Sequence, residues 1–209
     1  MYGELEEFEY TLHRYQSLSE ASSEHHRTTE LHRAARRGDL DTVRFLTEEE
    51  HQNPLQKDEK GDTALHAAAG GGSLDVLEYF VSEKNCNPAC QDYRGRTPLH
   101  LASIRGHLDV VKYLVIEQQV DCLCQDEDAM TPLHYSCAGS DISIVIFLTK
   151  KIEKYNPMKN ILADLKDRFG KNPLHYAARY GHLNIVQFFI SEKNCSPNIP
   201  GDNDGTPAY

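Results

Sequence analysis

Apolar positions along this chain fall into two helix-like clusters per unit, and the pair recurs about every 34 residues. In the clearest unit, Leu99, Ala102 and Ser103 mark the small inner face of a short helix that ends at Gly106. Leu108, Val110, Val111, Leu114 and Val115 then follow at helical spacing and predict a second helix. Polar residues fill the intervals. Asp92-Tyr93-Arg94-Gly95 reads as a tight turn, because Asp bonds the backbone amides ahead of it and Gly accepts a positive φ. Thr97 stands at a helix N-cap and Pro98 at the first helical position, where a missing N–H costs nothing. One unit is thus turn, short helix, second helix and return loop.

A Thr-x-Leu-His pattern punctuates the units at Thr29–His32, Thr63–His66, Thr97–His100 and Thr131–His134, with a fifth copy, Asn172–His175, that carries Asn in the Thr place. The steps between the histidines are 34, 34, 34 and 41 residues. Such a period marks a stacked-repeat chain, in which each unit buries its apolar face against its neighbours. Function is then expected on a shared surface.

The string Asp-x-x-Gly-x-Thr-Pro-Leu-His-x-Ala from Asp92, followed by Gly106-His107-Leu108-Asp109-Val110-Val111, resembles the ankyrin repeat. The resemblance covers about residues 28–204 and implies an all-α ankyrin-repeat solenoid of helix-turn-helix units with β-turn or hairpin loops. The units are 28–57, 58–91, 92–125, 126–166 and 167–201. Unit one lacks the Asp-x-x-Gly turn, which suits a capping repeat. Unit four carries seven extra residues within Lys150–Asn160, Ala129 in the place of the turn glycine, and Ser140-Asp141 in the place of Gly-His. A lengthened second helix or a bulging loop is expected there, with local distortion of the stack.

Residues 1–27 precede the repeats; Leu5, Phe8, Leu12 and Tyr15 predict an amphipathic helix over 4–18, with a polar linker after it. Packing on unit one as a cap is expected, with self-association or partner docking as the alternative. Residues 202–209 open a sixth turn that stops at Tyr209, which favours a fragment of a longer protein and an uncovered C-terminal face.

Composition narrows the function. Lys and Arg total 22 against 32 Asp and Glu, a formal charge of −10, which argues against general nucleic-acid or anionic-membrane binding. No apolar run approaches the roughly 18 residues a membrane span needs. The acidic N-terminus lacks a signal-peptide core. The cysteines (86, 90, 122, 124, 137 and 195) form no disulfide framework, so a reduced, cytoplasmic location is expected, with the nucleus as the alternative.

His66, His100, His134 and His175 recur one per unit without a nucleophile or carboxylate converging on them, so no catalytic constellation is expected. The resemblance implies that they stabilise the turns by hydrogen bonding. The pairs Cys86/Cys90 and Cys122/Cys124 do not supply the two paired clusters that tetrahedral zinc wants, and buried free Cys behaves as a small apolar group. Gly70-Gly71-Gly72-Ser73 follows a helix and lacks the lysine of a phosphate loop; Gly70 and Gly71 are expected to face outward. No cofactor and no metal is expected.

The resemblance further implies that turn tips and first-helix ends line a concave groove that binds other proteins. The candidates there are Tyr93, Arg94, Arg96, Ile104 and Arg105 in unit three, Met130 in unit four, and Arg168, Phe169, Lys171, Arg179 and Tyr180 in unit five. Arg and Tyr dominate interface energetics, and these two basic-aromatic units flank an acidic one containing Glu127 and Asp128. The expected function is a non-catalytic scaffold or adaptor that takes an acidic or mixed-charge protein segment. The alternatives are a regulatory part of a longer enzyme or channel, or a self-associating module.

Overall fold

Each inner helix starts where the sequence supplies a cap. Thr29, Thr63, Thr97, Thr131 and Asn172 take extended backbone at the N-cap of a helix that opens on the next residue. The computed structural model describes residues 28–155 and 161–196, and contains helices and turns but no strand among them. In chain order the helices are α1 (Glu30–Arg37), α2 (Leu40–Glu48), α3 (Ala64–Gly71), α4 (Leu74–Ser82), α5 (Pro98–Arg105), α6 (Leu108–Lys112), α7 (Pro132–Ala138), α8 (Ile142–Tyr155), α9 (Ile161–Asp164), α10 (Pro173–Arg179) and α11 (Leu183–Gln187). α6 and α11 each run on into a wider, π-helical turn, Tyr113–Glu117 and Phe188–Glu192. The expected helix over 4–18 and the sixth turn at 202–205 lie outside the described residues.

Helices α1, α3, α5, α7 and α10 lie side by side as an inner layer, and α2, α4, α6, α8 and α11 form an outer one. The inner layer is built from small residues: Ala34, Ala35, Ala68, Ala69, Ala102, Cys137 and Ala177 are fully buried. Small side chains let the inner axes close up, whereas Val43, Leu77, Phe80, Leu114, Leu148 and Phe189 hold the outer layer apart. The inner helices accordingly contact one another more intimately than the outer ones. Each fully buried Leu or Phe contributes roughly 1.5–3 kcal/mol of transfer free energy to this core.

The extra residues of unit four lengthen its second helix. α8 has 14 residues where α2 and α4 have 9, and its added turn stays on the core because Ile152 is fully buried. The cap between α7 and α8 also differs. Gly38, Gly72 and Gly106 close α1, α3 and α5 at φ +74°, +74° and +81°, but Gly139 lies at φ −81°.

Gly71 corrects an expectation. It faces the neighbouring unit: a Cβ built there would stand 2.0 Å from the carbonyl oxygen of Arg36. Close approach of α1 and α3 requires glycine at that position. Gly70 is the open one, with Leu101 Cβ at 3.8 Å as the nearest atom.

Candidate functional site

The aspartate that opens each turn organises it. Asp92 Oδ1 accepts from the amides of Arg94 and Arg96, both at 2.8 Å, while its own N–H donates to the Arg96 carbonyl at 3.0 Å. Asp58, Asp126 and Asp167 repeat this geometry. Neighbouring turns are tied edge to edge, since Tyr93 N–H donates to Lys60 O, Glu127 N–H to Arg94 O and Arg168 N–H to Asp128 O at 3.1, 2.8 and 2.9 Å. The turn tips therefore form one continuous, backbone-locked edge beside the inner helices.

The repeated histidines fasten one unit to the next. Nε2 of His32, His66, His100 and His134 donates to the carbonyls of Asp62, Arg96, Met130 and Lys171 at 2.9, 3.1, 3.1 and 3.3 Å. Nδ1 of His66, His100 and His134 accepts the amide N–H of the capping threonine at 3.1–3.2 Å. A carbonyl only accepts and an amide only donates, so the tautomer is fixed and both ring nitrogens are spent. Burial pushes the rings toward the neutral form, His100 down to about 3 and His134 to about 4. These side chains are rivets and hold no spare nitrogen for acid–base work.

Two sulfur contacts were not legible in the spacing. Cys90 Sγ lies 3.7 Å from His66 Nδ1, and Cys124 Sγ lies 4.0 Å from His100 Nδ1. The pairs resemble a thiol beside its base, but burial pushes the Cys124 thiol up to about 12 and raises that of Cys90 as well. A thiolate–imidazolium pair is disfavoured at both partners, so no nucleophile is generated. All six cysteines are unpaired, and no group of three potential metal ligands occurs among the described residues.

The candidate surface residues divide into two rows and two exceptions. Tyr93, Arg94 and Arg168 are exposed at the turn tips, with Phe169 half-buried beside them. The Lys57 ammonium lies 5.1 Å from the Tyr93 ring centre, and Arg168 covers Phe169 at 4.9 Å while pairing with Asp128 at 2.8 Å. Ile104, Arg105, Arg179 and Tyr180 sit at or just past the C-terminal ends of α5 and α10, Arg105 exposed and the others half-buried. Lys171 ends the last described turn; burial, and then the charge of Arg179, lower its pKa.

Arg96 and Met130 are the corrections. Both are buried, at 1% and 2% exposure, and neither lies on the surface. The residue before the capping Thr points into the seam between units, since its carbonyl is the one the preceding histidine grips. Arg96 there pairs with Asp92 through Nη2 and through Nε at 2.6 Å, and lies 3.8 Å from Asp62 of the unit before. The sequence reading also passed over unit one. Arg36 and Arg37 occupy the positions equivalent to Ile104 and Arg105, as counting four and five residues on from His32 and His100 would have shown.

Comparison with known proteins adds two findings. Residues 31–126 and 115–201 match the family model described as "Ankyrin repeats (3 copies)". Over 49 residues the chain is 37% identical to the 26S proteasome non-ATPase regulatory subunit 10 of Dictyostelium discoideum, a match spanning 23% of this chain and 21% of that protein.

Proposed function

Because the chain belongs to the ankyrin-repeat family, we propose that it is a non-catalytic interaction module that holds a segment of another protein along its turn tips and inner-helix ends. The observation that carries this reading is the composition of the inner rim. Tyr93, Arg94 and Arg168 stand there on turn backbone bonded from unit to unit, with Arg105, Arg179 and Tyr180 at the adjoining ends of the inner helices. A preformed surface of this kind loses little freedom on binding. The preferred partner is an acidic or mixed-charge segment, because the rim is basic in a chain whose formal charge is −10. We place its work in a reducing, intracellular compartment, in keeping with six unpaired cysteines. A second reading, a regulatory role within a larger assembly, is favoured by the similarity to a regulatory subunit.

Affinity purification with the wild type and with Arg94→Glu/Arg105→Glu/Arg179→Glu tests the first reading. Partners retained by the wild type should bind the variant roughly a hundredfold more weakly, on the order of 3 kcal/mol. Unchanged affinity would sink the rim as the binding surface. Light scattering of the unpartnered chain across concentration checks self-association at the same time.

A further inference from the structure

We propose that the outward face of α8 is a second docking surface, on which Lys150, Lys151, Lys154 and Tyr155 take an acidic segment of a partner protein. It lies in the outer layer, apart from the inner rim. The extra residues of unit four create it. Lys151, Lys154 and Tyr155 lie in the part of the 14-residue α8 that outruns the 9-residue α2 and α4, and Lys150 stands just before it. Insertions within a repeat commonly serve binding. This one is held from behind: Ile152 is fully buried, and Glu153 takes the Lys193 ammonium of unit five at 2.7 Å. The lysines therefore project from a fixed helical turn.

Folding leaves these charges unused. Lys150 and Lys154 are exposed and Lys151 is half-buried. Arg44, Lys84 and Lys193, on neighbouring outer elements, each hold a glutamate at 2.6, 3.5 and 2.7 Å, but these three lysines pair with no carboxylate among the described residues. Like charges four apart on a helix repel, so the fold carries Lys150 and Lys154 at a cost that bound carboxylates reverse. Lys151 lies 5.7 Å from the Phe147 ring centre, and Tyr155, one turn further on, is 68% exposed. The patch is cationic and aromatic together, in a chain of formal charge −10.

The surroundings select the partner. On their outward faces α4 carries Asp75 and Glu78, α6 carries Asp109 and Lys112, and α11 carries Asn184 and Gln187. An anionic bilayer or a long polyanion laid across the outer layer meets those carboxylates as well as the lysines. A short segment along α8 meets the lysines alone. Lys150 and Lys154 are separated by about 6 Å along the helix axis. That spacing matches two carboxylates four residues apart on a partner helix, or two apart on an extended strand, with a neighbouring apolar side chain against Tyr155.

Subtractive phage panning tests this. A random dodecapeptide library is first depleted on Lys150→Glu/Lys151→Glu/Lys154→Glu and then selected on the wild-type full chain, and the selected peptides are measured by fluorescence anisotropy. The expected result is enrichment of Asp and Glu beside an aromatic or aliphatic residue, with affinity at least about tenfold weaker for the triple variant and falling with added salt. Lys150→Arg/Lys151→Arg/Lys154→Arg should retain most of the binding, and Arg94→Glu/Arg105→Glu/Arg179→Glu should leave it unchanged; thermal melting verifies that every variant folds. Peptides that respond to the rim variant but not to the lysine variant would overturn the α8 surface and leave the rim intact. Failure to select any peptide that depends on the lysines would overturn it as well. Lysine-dependent binding of phosphatidylcholine–phosphatidylserine vesicles or of oligothymidylate, with no acidic peptide selected, would overturn the assignment to a protein. Concentration-dependent light scattering that disappears in the lysine variant would mean that a second copy of the chain fills α8, which overturns its assignment to a separate partner.

Discussion

One oxygen of each turn aspartate holds two amides, so the fate of the second oxygen decides the electrostatics of the unit. Asp126 Oδ2 accepts from Tyr135 O–H at 2.7 Å and Asp167 Oδ2 from Tyr176 O–H, whereas Asp92 Oδ2 meets buried Arg96. Removing one partner of a buried ion pair leaves an uncompensated charge, at a cost of about 3–5 kcal/mol. Arg96→Met is therefore expected to lose that much stability at pH 7.5 in urea unfolding. Less should be lost at pH 5, because burial already pushes Asp62 and Asp92 up to about 6 and both would then carry protons. Ala129 is the second residue of note. It stands at φ +58° where the other turns have Gly61, Gly95 and Gly170. A left-handed alanine costs about 1 kcal/mol, so Ala129→Gly should raise the melting temperature by roughly 2–4 °C. The Ala129 anomaly was visible in the sequence as a broken repeat. The burial of Arg96 was not, because its partner Asp62 occupies the same position one unit earlier, and only superposing the units brings the two together.

At the scale of elements, caps made the helices legible. Thr-Pro and the closing glycines fix both ends of α5 by local chemistry, which needs no knowledge of the rest of the chain. The extra residues of unit four left two outcomes open because a helix extension and a loop bulge share the same polar, lysine-rich composition. Burial of Ile152 explains why the stretch as far as Tyr155 is helix, and that is a tertiary contact. Gly71 of α3 departs from its expected outward face for the same reason, while Gly70 keeps it: helix periodicity assigns a face, but the distance to the next helix is set by the stack. A paired substitution separates the two roles. Gly71→Ala drives a Cβ to 2.0 Å from a backbone carbonyl that cannot rotate away, and should cost about 3 kcal/mol as α1 and α3 are forced apart. Gly70→Ala, with its nearest contact at 3.8 Å, should instead gain about 0.5–1 kcal/mol from reduced freedom of the unfolded chain. Equal effects at the two sites in urea unfolding would show that the helix spacing is soft.

For the whole molecule, the period alone exposed the architecture, while net charge concealed the rim, since a formal charge of −10 averages over basic and acidic surfaces alike. The histidine rivets give the stack a collective dependence on pH. Burial holds His66, His100 and His134 below the ordinary histidine value of about 6.5, so beneath that pH the unfolded chain takes up protons that the folded chain refuses. Stability from each rivet is thus full above about pH 6.5 and lost as pH falls, by about 1.4 kcal/mol per pH unit. Asp62 and Asp92 act with the opposite sign: burial raises them, so below about pH 6 they protonate in the folded chain first and return stability, and burial shifts Asp126 in the same direction. The two sets offset each other, and the wild-type curve alone would understate both. Replacing one rivet isolates it. His100→Gln cannot titrate, and at pH 7.5 it should be less stable than the wild type by about 1–3 kcal/mol for the weakened bond to the Met130 carbonyl. Every aspartate term is common to both proteins, so the difference between them reports His100 alone. That gap should shrink by about 1.4 kcal/mol per pH unit below pH 6 and approach zero near pH 5. Urea unfolding at pH 7.5, 6 and 5 measures it, and a gap that stayed constant would mean that His100 is free to accept a proton in the folded stack.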